Sequence, residues 1–198
     1  MPVIVVPYSE SWREAFGRVG GALRDALGRE ALRIDHIGST AVPGRAAKPI
    51  IDIQVTVERL ETIDAYEDTL RSLGLLRRDR IRHDRPPPWE SDSDPSHWRK
   101  VYFSDKSSEP RIHVHVRETG RRNQRYPLLF RDFLREEPGS REAYGTFKTH
   151  IAETLGHRSS DGGTGPYLDA KDPVFDLIAR AAERWAAEIG WEPGPSDA

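Results

Sequence analysis

Apolar positions along the chain change spacing several times, and each change marks an element. Val3 to Val6 is a short β-branched run closed by Pro7, which predicts an edge strand or extended arm. Ser11 and Glu14 have the spacing of a capping box. Trp12, Ala15, Phe16, Val19, Leu23, Ala26 and Leu27 follow at helical intervals, weakened at Gly20 and Gly21. Leu32 to Gly38 then alternates with period two. Pro49 to Val57 is a nearly continuous apolar strand that carries Asp52 and Gln54 on one face. Leu60, Ile63, Tyr66, Leu70 and Leu73 predict a second amphipathic helix, with Gly74 as its C-cap.

The second half reads differently. Arg77 to Ser96 is charged and Pro-rich, the composition of a mobile loop or a functional lid. Trp98 to Phe103 and Arg111 to Val116 predict two strands joined by the polar turn SDKSSEP, and helices follow. Tyr126 to Arg135 stops before Pro138, Ser140 caps a helix running toward Gly156, and Asp172-Pro173 reads as N-cap and N1 of a helix ending at Gly190. His157 to Tyr167 reads as a connector, and residues 191–198 are expected to be a flexible tail. Strands first and helices second predict one α+β domain over residues 1–190, a mixed β-sheet with helices packed mainly on one face.

Composition narrows the function classes. In 198 residues, 30 Lys and Arg face 32 Asp and Glu, a near-neutral balance that argues against a dedicated nucleic-acid binder. The run RRDRIRHDR is interrupted by Asp and reads as a solvated loop. Without cysteine, disulfides, thiolate metal sites and cysteine nucleophiles are excluded. No targeting segment and no 18-residue apolar run is evident, so a soluble, cytoplasmic protein acting on a small molecule or nucleotide is expected.

The candidate chemistry centres on Ile34 to Val57. Gly38 and Ser39 form a small-residue turn, through which backbone N–H groups can approach an anion closely. Asp52 is a carboxylate inside an apolar strand, where it calls for a cation or a metal. A strand ending in Gly-Ser, followed about a dozen residues later by such an Asp, resembles the polymerase-β-type nucleotidyltransferase superfamily. The string HIGSTAVPG with AAKPIIDI is similar to its GrpB-like branch. RIHVHVRE, LLFRDFLRE, YGTFK and YLDAKDPVF extend the resemblance over roughly Val3 to Trp185. It implies a nucleotidyltransferase-like fold and a family that also occurs fused to dephospho-CoA kinase. The superfamily pattern has a second acid where this chain has Gln54, a poorer ligand for a hard dication, which puts ordinary two-metal transfer in question.

His113 and His115 share one face of their strand, and His36 lies on the strand entering Gly38. If the faces align, Asp52, His36, His113 and His115 converge as a divalent metal site. Such a donor set suits Zn, Mn, Fe or Ni better than bare Mg. The plainer reading is half-buried histidines hydrogen-bonded to neighbours. Gly38, Ser39, Thr40, Lys48, Gln54, Arg131 and Lys171 are the candidate substrate contacts, with Asp52, Lys48 and Arg131 the candidate catalytic groups. Arg131 and Asp132, adjacent on a helix, are not expected to share a face. The function expected first is metal-assisted nucleotidyl transfer from a nucleoside triphosphate to an unknown acceptor. A His/Asp transition-metal enzyme on the same fold, and a non-catalytic nucleotide- or CoA-binding module, stand beside it. No P-loop and no G-x-S-x-G elbow is present.

Overall fold

The computed structural model describes residues 4–105, 108–155 and 165–198. Five strands form one mixed sheet in the order β1-β2-β5-β4-β3: β1 Arg33–Ile37, β2 Ile50–Val57, β3 Leu76–Arg77, β4 Val101–Ser104 and β5 Arg111–Glu118. The central pair β2/β5 is parallel and the other neighbours are antiparallel. The expected α+β mixed sheet holds, and β1, β2, β4 and β5 lie where the sequence predicts strands. Helices, however, cover both faces of the sheet rather than mainly one, and in place of the expected N-terminal strand Val6 makes an isolated bridge with Ala47. Val3, Lys106, Ser107 and residues 156–164, part of the expected arm, turn and connector, lie outside the described residues.

Period-two alternation gives the sheet two unlike faces. One carries Ile51, Ile53, Val55, Val57, Ile112, Val114 and Val116, all buried. Against it pack α1 (Ser11–Leu27), through Trp12, Phe16, Leu23 and Leu27, and the segment ending in short α2 (Glu67–Ser72), through Leu70. Burying one large aliphatic side chain contributes about 1.5–3 kcal/mol, so this layer dominates the sheet's stability. The opposite face is polar. It meets α3 (Arg122–Glu136), which packs with α4 (Pro138–Leu155) and α5 (Gly165–Ile189) around a second apolar cluster that includes Phe130, Phe133 and Tyr144.

Several local signals are overridden. Ser11 begins α1 rather than capping it, and Ser140 lies inside α4. The Asp172-Pro173 pair sits in the interior of α5, which starts at Gly165, so Asp172 is an ion-pair partner of Arg85 (3.3 Å) instead of a cap. The second helix is 3-10 over Leu60–Tyr66 before it becomes α2.

The expected flexible tail is instead bound along β1. Ile34 N donates to Ser196 Oγ (2.9 Å), Ala198 N to Ile34 O (3.1 Å) and Arg33 Nη1 to Gly194 O (2.7 Å). Unpaired backbone groups on an edge strand need partners, and this segment supplies them. No helix among the described residues is long and apolar enough to cross a membrane.

Candidate functional site

Parallel pairing of β2 with β5 sets Asp52 beside His113 and Gln54 beside His115, so all four side chains rise from the polar face. Asp52 Oδ1 lies 3.3 Å from His113 Nδ1 and 3.5 Å from His115 Nε2. Ligand atoms around one cation at about 2.1 Å stand about 3.0–3.4 Å apart, so the spacing of this trio suits a shared ion. Tyr102, facing the same way from β4, packs its ring against both imidazoles, with centroids 5.5 and 5.0 Å away. Burial pushes the Asp52 carboxyl up, but the hydrogen bonds from His113 and His115 prevail and hold it well below the usual carboxylate range.

The proton on His115 is placed by its neighbours. Its Nδ1 faces Lys100 Nζ (3.3 Å) and Arg117 Nη2 (3.4 Å), both of which can only donate. Nδ1 therefore accepts, and the ring hydrogen sits on Nε2, turned toward Asp52. Burial lowers the His115 pKa to about 4; Asp52 opposes the shift, and Arg117 and Lys100 add to it, so the ring is neutral at pH 7. Ligation through Nε2 would move that hydrogen onto Nδ1, against two cations. Asp52 and His113 fit a metal without this conflict, and His115 fits as the donor that orients Asp52.

Lys100 and Arg117 are held by Asp84, from the segment expected to be a mobile loop or lid. Asp84 accepts from Lys100 (2.6 Å), from Arg117 through Nε (2.8 Å) and Nη2 (3.1 Å), and from Asn123 Nδ2 (3.1 Å). This half-buried hub ties the segment to the site. Arg117 continues the Arg111, His113, His115 alternation, so the period-two signal could have found it; nothing local marks Asp84.

Four sequence candidates stand elsewhere. His36 pairs in register with Ile53 and therefore points to the apolar face, where it stacks on Phe16 (centroids 4.8 Å apart) and its Nε2 meets Thr40 Oγ1 (3.0 Å). It is no metal ligand here. Burial lowers its pKa to about 4. Thr40 is buried and spends its hydroxyl on Ile50 O (2.8 Å). Gln54 is fully buried; its Oε1 accepts from Arg117 Nη1 (2.7 Å) and its Nε2 donates to Gln124 O (2.8 Å), which leaves nothing for substrate. Arg131 is buried between Asp132 and Asp197, each at 2.7 Å, and donates to His36 O (3.0 Å). Its flexible guanidinium reaches the adjacent Asp132 despite their i, i+1 spacing, and it organises the bound tail rather than an anion.

The remaining candidates line one cavity of about 390 Å³: Gly38, Ser39, Lys48, Asp52 and Lys171. Lys48 Nζ lies 4.2 Å from the centroid of the Tyr167 ring, and Lys171 Nζ 5.0 Å from that of Phe175. Two residues missed by motif reasoning, Arg45 and Lys148, share this wall. Gly38 has φ 73°, and a Cβ there would stand 2.5 Å from Asp52 Oδ2, so a glycine is what lets the turn close over the carboxylate.

A family profile described as "GrpB protein" matches residues 2–181. The chain belongs to the GrpB family. It is 38% identical over 205 residues to the dephospho-CoA kinase of Mycobacterium tuberculosis, covering 97% of this chain and 49% of that protein. With the UPF0157 protein YqkA of Bacillus subtilis it shares 30% identity over 183 residues, 92% of this chain and 48% of that one. The chain thus spans about half the length of these curated relatives. The crystal structure of conserved protein GrpB from Enterococcus faecalis superimposes with a TM-score of 0.65 at 29% identity, covering 96% of this chain and all (100%) of that one. The GrpB fold is nucleotidyltransferase-like, so the resemblance first carried by short motifs extends over the whole sheet.

Proposed function

We propose that this GrpB protein is a divergent, single-metal enzyme that transfers a nucleotidyl group from a nucleoside triphosphate to an acceptor. The observation that carries the reading is Asp52 beside His113, against the Gly38-Ser39 turn, with Asp52 lining the same cavity as Lys48 and Lys171. Asp52 and His113 would hold a divalent cation, which would supply Lewis-acid charge to a phosphoryl oxygen. One imidazole and one carboxylate favour Mn, Fe, Ni or Zn over bare Mg. Gln54, locked between Arg117 and Gln124, supports one metal site in place of the paired-acid arrangement.

The protein's own groups account for the rest. His115 Nε2–H steadies the Asp52 carboxylate, and the glycine at 38 leaves the backbone beside it open to an anion. Lys48 and Lys171 offset charge that grows on a leaving pyrophosphate, the largest contribution such a site makes to phosphoryl transfer. Phe130 and Phe175, stacked at 4.2 Å, give the cavity an aromatic wall for a flat ring.

Calorimetry with ATP, CTP, GTP and UTP in the presence of Mn or Mg tests the reading, together with pyrophosphate release. Expected are binding at millimolar concentration or better and its loss in Asp52→Asn. If no triphosphate binds, nucleotidyl transfer falls and a transition-metal enzyme for another small molecule takes its place.

A further inference from the structure

Arg45 and Lys148 have no role in the metal site, and both are almost wholly buried, 2% and 3% exposed. Arg45 stacks on the Tyr144 ring at 4.2 Å, yet its Nε and Nη2 are buried with no hydrogen-bond partner. Lys148 Nζ donates to Ser39 Oγ (2.8 Å) and approaches Ala46 O (3.5 Å). Tyr144 and Lys148, the ends of YGTFK, are four residues apart on α4, so aromatic and cation share one face. Among the described residues no carboxylate lies within ion-pair distance of Arg45, Lys148 or Lys48, and Lys171 meets only Asp172, at 3.4 Å. All four cations line the same cavity. The carboxylates that also line it are engaged: Asp52 with the two imidazoles, Asp84 with Lys100 and Arg117.

Buried charge without a counterion is costly, as at Arg45 and Lys148, and with Lys48 and Lys171 added the cations of this cavity repel one another. A ligand carrying several negative charges removes both costs. Ring faces partly offset the charges of Arg45 and Lys48 but offer no acceptor for their N–H groups. A single carboxylate or sulfate would leave most of this charge unmet. We infer that Arg45, Lys48, Lys148 and Lys171 form a cradle for an oligophosphate, two or more linked phosphates, which anchors the substrate independently of the metal. This rests on the nucleotidyl-transfer reading only for the identity of the rest of the substrate. Lys148 also has its pKa lowered well below that of a free lysine, by burial first and then by Arg45, Lys171 and Lys48.

The test uses the full chain in EDTA at low salt, titrated calorimetrically with orthophosphate, pyrophosphate, tripolyphosphate and ATP. Tripolyphosphate should bind at least about tenfold more tightly than orthophosphate, since charge-assisted contacts add. Arg45→Met and Lys148→Met should each weaken it by about tenfold or more, while the ligand-free variants melt no lower than wild type. If either variant fails to fold, Lys48→Ala, at a half-buried position, gives the same readout. ATP matching tripolyphosphate assigns the grip to the phosphate chain; tighter ATP adds a ring contact and leaves the cradle standing. Wild type that ignores tripolyphosphate, equal affinity for orthophosphate, or variants that bind as well as wild type each overturn the inference. Metal-free tripolyphosphate binding without turnover of any nucleotide would keep the cradle and sink nucleotidyl transfer. Turnover with an unchanged KM in both variants would do the reverse.

Discussion

Gly38 and Asp52 are in such close contact that a single methyl group at position 38 would stand 2.5 Å from the Asp52 carboxylate. The glycine also adopts φ 73°, where an L side chain is strained. Gly38→Ala is expected to cost about 1–3 kcal/mol from the backbone alone and to push Asp52 away from His113. Urea denaturation measures the first effect and Mn titration the second. A variant with wild-type Mn affinity would show that this contact does not position Asp52.

His113 and His115 are predicted to differ as partners of a cation. His113→Ala removes a group free to ligate; His115→Ala removes a donor whose other nitrogen already accepts from Lys100 and Arg117. Loss of an orienting partner typically costs roughly 10–100-fold in metal affinity, and loss of a ligand costs more. Titrating Mn or Zn into both variants should rank His113→Ala as the weaker binder. The opposite ranking would refute the tautomer assigned to His115.

Asp84 is expected to matter for stability more than its place in a charged, Pro-rich segment suggests. Burial pushes its carboxyl up, but Arg117 and Lys100 outweigh that and hold it far below the usual range. Asp84→Ala strands two buried cations, and breaking such a pair costs about 3–5 kcal/mol. Chemical denaturation gives the value directly. A loss under about 1 kcal/mol would mean that Lys100 and Arg117 find water or another partner.

His36 is expected to make the protein acid-sensitive. Its folded pKa is about 4 against 6.5 for a free histidine, with burial as the main cause. Between those values the unfolded chain binds more protons than the folded one. The contribution is therefore complete above pH 6.5 and is lost as pH falls toward 4. The full shift corresponds to roughly 3 kcal/mol. His36→Phe, which retains the stack on Phe16, should flatten the stability profile across this window. An unchanged slope would assign the acid sensitivity to His115 and other groups.

What the amino-acid sequence determines here is parity and order. Alternation in Pro49–Val57 and Arg111–Val116 is enough to put Asp52 with Gln54, and His113 with His115, on shared faces, because side chains on a strand alternate strictly. HIGSTAVPG and the later pieces were enough for the family and its fold. Register between strands is another matter, since a shift of one residue exchanges the faces. His36, set opposite Ile53, lies among apolar side chains and not beside Asp52. Local cues also yield to packing: Asp172-Pro173 reads as a helix start, yet α5 begins at Gly165 and packs on α3 and α4. Arg45, Asp84 and Lys148 meet the site only because loops and helices far apart in the chain fold against one sheet face. No spacing rule links residues at such separations. Their charges become informative only once burial has removed water and shown which of them lack a partner.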